Sequence, residues 1–200
     1  MRDYEERKSA LIRFLEDREK MNLLQIQKMN SGDMPQRRLV PNTYLICNRT
    51  VQILIAKYSL GEDLVALQDD LQSAIEWYLK LDKDYANPGS SRDCYLLHLN
   101  IMSLSVLLGL SDSKWGELIS KWESFEVGDR LIDAIIKFHD PSRLMSTELL
   151  FESEYAMLLG AYSLDDSTEF LTGISSYLAS WYKGHKGCVW FDSHLADGPA

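Results

Sequence analysis

Apolar residues recur three and four positions apart through most of the chain, and no stretch keeps up the period of two that a half-buried strand requires. That periodicity limits the fold class to all-α. Residues 3–30 carry Leu11, Leu15, Leu23, Ile26 and Met29 on or near one stripe. A second helix is predicted over 43–60, with Leu45, Val51, Leu54, Ile55 and Tyr58 at helical spacing, and a third from Leu64 to about Tyr85 through Leu67, Leu71, Ile75 and Tyr78. The spacing predicts further helices over 92–110, 127–139, 145–163 and 166–183, and a short one after residue 111 capped by Asp112 or Ser113. SGDMP at 31–35, Gly61-Glu62-Asp63, ANPGSS at 86–91 and HDPSR at 139–143 separate them, because glycine and proline do not continue a helix at little cost.

A shift of 104 positions aligns the chain with itself. Leu54 falls on Leu158, Tyr58-Ser59-Leu60 on Tyr162-Ser163-Leu164, Leu67 on Leu171 and Trp77-Tyr78 on Trp181-Tyr182, without a gap. Each copy reads as a helix, a turn with acids, and a helix ending in WY. The expectation is two related antiparallel helical units, an N-terminal one over 1–123 and an acidic C-terminal one over 124–200. The first copy continues into the apolar 92–110 helix, whereas the second continues into HKGCVWFDSHLADGPA, so the second unit is expected to lack its closing helix and to expose apolar surface near Trp181 and Trp190.

The net charge of −9 argues against nucleic-acid binding, which needs a basic footprint to displace counterions. The charge is concentrated: residues 123–169 hold 11 acids against three bases, Arg130, Lys137 and Arg143. Such a bias fits a basic protein partner. Cys47, Cys94 and Cys188 are distant from one another and odd in number, which fits a reducing, cytoplasmic compartment. The uncharged run from Cys94 to Ser111 contains His98 and Asn100 and reads as a buried helix, not a membrane span.

The segment WYKGHKGCVWFDSHL at 181–195 concentrates His185, Cys188, Asp192 and His194. A metal site needs three or four converging ligands, and no second cluster accompanies these, so no metal or other cofactor is expected. Cys188 could be activated as a nucleophile by His185 or His194, but no oxyanion device or partner motif accompanies it, and adjacent Asp192-Ser193-His194 side chains do not point at one another. The segment reads as framework, with Trp181 and Trp190 as packing aromatics. Asp165 and Asp166 read as the cap and first turn of the last helix. The pairs Asp129/Asp133 and Glu148/Glu152, four residues apart, each share a helix face. With Glu154 they form the predicted partner-binding surface, Asp129 and Asp133 pointing outward beside Glu126 while Leu131, Ala134, Ile135 and Phe138 point inward.

Those motifs carry a resemblance. DSTEFLTGISSYLASWYKGHKGCVWFDSHL, with VGDRLIDAII, YAMLLGAYSLDD and the N-terminal LIAKYSLGEDLVALQDDLQSAIEWYLKL, resembles the PoNi-type immunity proteins. The resemblance implies an all-helical, non-enzymatic inhibitor of a PoNe-type DNase toxin delivered by type VI secretion. The family pattern continues with an aromatic-rich helix after the DSH element, so the resemblance leads to the same expectation of a missing closing helix. An acidic surface suits such a role, since a nuclease presents a basic cleft. The alternative is a helical-repeat scaffold unrelated to toxins; a metal-dependent hydrolase built on His185, Asp192 and His194 is the third reading.

Overall fold

The computed structural model describes residues 2–186. They fold into α-helices and one 3-10 turn, with no strand among the described residues. The helices are α1 (Arg2–Asn30), α2 (Leu39–Leu60), α3 (Leu64–Leu79), α4 (Arg92–Leu107), α5 (Asp112–Glu123), α6 (Arg130–Ile136), α7 (Glu152–Tyr162) and α8 (Ser167–Gly184). The chain divides into two compact units, Met1–Asn87 with Leu97–Phe125, and Pro88–Leu96 with Glu126–Ala200. Helix α4 therefore contributes its first residues to the second unit and the rest to the first.

In the first unit α2 packs against both α1 and α3. Gly61 ends α2 in the left-handed conformation (φ 81°), and its N–H reaches Lys57 O and Tyr58 O. Two residues later Asp63 caps α3, its carboxylate accepting from Val65 N–H at 2.8 Å. The stripe expected on α3 is the buried one: Leu67, Leu71, Ile75 and Tyr78 lie inside, while Leu64 at the helix start is exposed. On α2 the inward face is Ile46, Cys47, Val51, Leu54 and Ala56; Leu45 and Tyr58 of the expected stripe are exposed. Leu23 on α1 is exposed too, and Asn22 beside it is buried, donating to Thr50 Oγ1 at 3.1 Å. Lys57 joins the three helices, pairing with Asp70 of α3 at 2.9 Å and Glu19 of α1 at 3.5 Å.

The rest of this core forms around His98, which is fully buried. Its Nε2–H donates to Ala86 O at 2.8 Å, since a carbonyl only accepts, and its Nδ1 accepts from the Tyr78 hydroxyl at 2.8 Å. Phe125 and Trp122 close on the ring edge-to-face at 4.6 and 5.5 Å between centroids. Burial lowers the His98 pKa to about 4, against a smaller upward pull from the bond to Ala86 and with a further downward push from Lys121. The imidazole is therefore neutral at pH 7. Burial likewise pushes the Cys47 thiol up, leaving it inert. Helix α5 begins at Asp112, so neither Asp112 nor Ser113 caps it: Ser111 is the cap residue, without a side-chain hydrogen bond.

In the second unit α7 packs against α8. Asp166 caps α8, accepting from Thr168 and Glu169 N–H at 2.8 and 2.9 Å. The two helices approach closely at Gly173, where a Cβ would lie 2.7 Å from Ala161 Cβ. The counterparts under the 104-residue shift differ in burial: Leu67 is fully buried and Leu171 is 62% exposed. Trp181 is half-buried; Trp190 lies outside the described residues. Among the described residues no helix is long and apolar enough to cross a membrane.

Candidate functional site

Within the acidic segment of the second unit, Gly128-Asp129 precedes α6 and its apolar residues. Asp129 is extended (φ −148°, ψ 122°) and caps α6, Oδ1 accepting from Leu131 N–H at 3.0 Å and Ile132 N–H at 2.9 Å. The same oxygen accepts from the Tyr95 hydroxyl at 2.9 Å, and Oδ2 accepts from Leu150 N–H at 2.9 Å. Asp129 is fully buried. Tyr95 is also fully buried, flanked by Phe151 and Tyr155 at 5.0 and 5.3 Å between centroids. Its phenol pKa is raised, first by burial and then by the Asp129 charge.

One turn later Asp133, 1% exposed, takes Arg143 Nε on Oδ1 at 2.9 Å and Ser146 N–H on Oδ2 at 2.8 Å. Arg130 N–H donates to Glu148 O at 2.7 Å. These bonds fasten the 141–151 segment to α6, and they explain why it is not helical. The Ser146 and Leu150 amides bond to carboxylates and the Glu148 carbonyl accepts from α6, so the helix predicted over 145–163 forms only from Glu152.

Glu154 is buried in the first turn of α7 and bonds Arg92 and Ser153. Burial alone would raise its pKa, but the hydrogen bonds from Ser153 and Arg92 and the Arg92 charge outweigh it and hold the carboxyl below its ordinary value. The Arg92 guanidinium also lies 5.6 Å from the Phe151 ring centroid.

The expected face of five exposed carboxylates is therefore not formed. Asp129, Asp133 and Glu154 are buried within the unit, contrary to their outward reading, and Phe138, read as inward, is 60% exposed. Glu148 and Glu152 are exposed, but Glu148 lies in the loop and Glu152 on α7, so they share no helix face. The signal for Asp129 was present: an Asp after a glycine and before an apolar run is a helix-start signature. The bonds of Asp133 to Arg143 and of Glu154 to Arg92 span 10 and 62 residues, beyond any local spacing rule.

His185 is 1% exposed, and both its nitrogens are engaged. Nδ1–H donates to Trp181 O at 2.7 Å and Nε2 accepts from the Tyr155 hydroxyl at 3.0 Å, with the Trp181 ring 4.5 Å away. It braces the end of α8 against α7. Cys188, Asp192 and His194 lie outside the described residues. Among the described residues no group of three or more His, Cys, Asp or Glu is placed to hold a metal ion.

Two family models match the chain. That of the PoNe immunity protein (PoNi) N-terminal region covers residues 3–120, and that of the PoNe immunity proteins (PoNi) C-terminal region covers 127–199. No curated protein and no solved structure matches it.

Proposed function

Because the chain belongs to the PoNe immunity protein family, we propose that it protects its cell by binding a cognate secreted toxin, a DNase, and blocking it stoichiometrically, without catalysis of its own. The match of both family models across nearly the whole chain carries this reading. The buried acids and His185 are engaged by partners inside the chain, which suits a role as framework. A DNase delivered by type VI secretion attacks DNA in the cytoplasm, so its inhibitor acts there. A nuclease carries a basic phosphate-binding cleft, and the exposed carboxylates of the second unit, Glu148 and Glu152 among them, supply an opposite field that speeds encounter.

The test is co-expression with the nuclease encoded by the neighbouring gene. The chain is expected to restore growth, to co-purify with the toxin, and to stop cleavage of DNA at one equivalent. Undiminished cleavage at a several-fold excess of the chain would remove the proposal.

A further inference from the structure

In a segment where acids outnumber bases 11 to three, two of the three bases line one cleft. The cleft lies between α6 and α7 of the second unit and measures about 510 Å³. Arg130 and Lys137 stand two turns apart on the α6 side, and Ser163 follows the end of α7. The third base, Arg143, is held by Asp133. Arg130 Nε is buried with no hydrogen-bond partner among the described residues, so the guanidinium is not already committed to an acceptor through that atom. A buried Nε also occurs at Arg49, but there the guanidinium donates to Gln25 through Nη1.

The rest of the cleft is apolar. Phe138 and Tyr162 form an edge-to-face pair at 6.0 Å and are 60% and 54% exposed, and Met145 adds a flexible thioether. Ala134, Ala156 and Gly160 keep the space open; a Cβ on Gly160 would meet nothing within 4 Å. Two cations beside an exposed aromatic pair suit an anion attached to an apolar group. A polyanionic strand is disfavoured, because the surrounding acids repel repeated phosphates. A single carboxylate presents one charge, and the volume lies in the range of ordinary ligand pockets, roughly 300–1,000 Å³.

We propose that this cleft receives a carboxylate-bearing segment of the toxin. An acidic side chain or chain terminus would lie between Arg130 and Lys137, with a neighbouring apolar side chain against Phe138, Tyr162 and Met145. The identity of the partner rests on the immunity reading; the chemistry of the cleft does not. The contact would then be two-signed, anion accepted here and cations met by the exposed carboxylates.

The experiment has two arms on the full chain. The first titrates 3-phenylpropionate and its uncharged amide while following the amide resonances of Lys137, Gly160 and Ser163. The acid should bind in roughly the millimolar range and about fivefold more tightly than the amide. Arg130→Met with Lys137→Met should erase that preference. The second arm measures affinity for the toxin, which the double variant should weaken about tenfold; Lys137→Met alone, at an exposed site, should give part of that loss in a chain with an unaltered melting temperature. Equal shifts with acid and amide, or none, would overturn the proposal. So would unchanged toxin affinity in the double variant, and that result would leave the immunity reading standing. A wild-type chain that does not bind the toxin would instead defeat the immunity reading, and the toxin as occupant with it.

Discussion

The Tyr95 hydroxyl donates to Asp129 Oδ1 across 2.9 Å, and both residues are fully buried. The bond ties the start of α4 to the cap of α6 within one unit. All four partners of the Asp129 carboxylate are donors, so both oxygens must accept. Asp129→Asn puts an NH₂ where one oxygen was, either against Leu150 N–H or against the other three donors. A loss of about 2–3 kcal/mol is expected, with about 1 kcal/mol for Tyr95→Phe. Urea unfolding measures both, and a change below about 0.5 kcal/mol for Asp129→Asn, the size typical of surface positions, would show that the carboxylate is not held as described.

Charge reversal at Glu148 and Glu152 acts on a different quantity. Both are exposed, so Glu148→Lys with Glu152→Lys should leave folding within about 0.5 kcal/mol while slowing association with the toxin. Screening beyond about 10 Å at 0.1 M salt should shrink the difference between wild type and variant as ionic strength rises. Stopped-flow rates at two salt concentrations decide it; identical rates at low salt would count against electrostatic steering.

His98 gives the first unit a defined acid sensitivity. Its folded pKa is about 4, against an unfolded value of about 6.5. Between those values the unfolded chain holds a proton that the folded chain does not, so stability falls as pH drops through this window and is complete above it. The full contribution is about 3 kcal/mol. Carboxylates titrate in the lower part of the same range, so the measurement is a comparison of the slope of unfolding free energy against pH in wild type and His98→Gln. The variant should be less stable at pH 7, having lost the fit between Tyr78 and Ala86, and flatter between pH 6.5 and 4. Parallel slopes would refute the assignment.

Two glycines of the second unit should respond in opposite directions. Gly160→Ala fills open space in a helix and should stabilise by up to about 1 kcal/mol. Gly173→Ala forces a methyl to 2.7 Å from Ala161 Cβ and 3.3 Å from its Cα, which are not free to swing away, and should destabilise by about 1–3 kcal/mol despite the better helix propensity. Thermal unfolding of the pair tests the packing of α7 on α8.

The helices were legible in the sequence wherever the apolar spacing and the breakers agreed. Gly61 and Asp63 end α2 and start α3 as their chemistry demands, while the start of α8 lies one residue later than read: Asp166, expected in the first turn after Asp165, is itself the cap. The reading failed where side chains compete for the backbone. Residues 145–151 have helical spacing, yet the Asp129 and Asp133 carboxylates take the Leu150 and Ser146 amides. Charge misled for a related reason. An acid looks solvent-facing until a distant Tyr95, Arg92 or Arg143 is known to meet it, and such pairings depend on tertiary structure alone. Asn22 inverts the usual rule similarly, buried where neighbouring Leu23 is exposed, because Thr50 gives it a partner.

The burial of Asp129, Asp133 and Glu154 also divides the acidic segment by evolutionary freedom. Each is locked to partners inside its own unit, so replacing one to suit a new adversary would weaken the scaffold that presents the rest. Glu148 and Glu152 carry no such obligation through their side chains. In an arms race between toxins and their inhibitors, the former should drift only together with Tyr95, Arg143 and Arg92, while the latter are free to change with each new opponent.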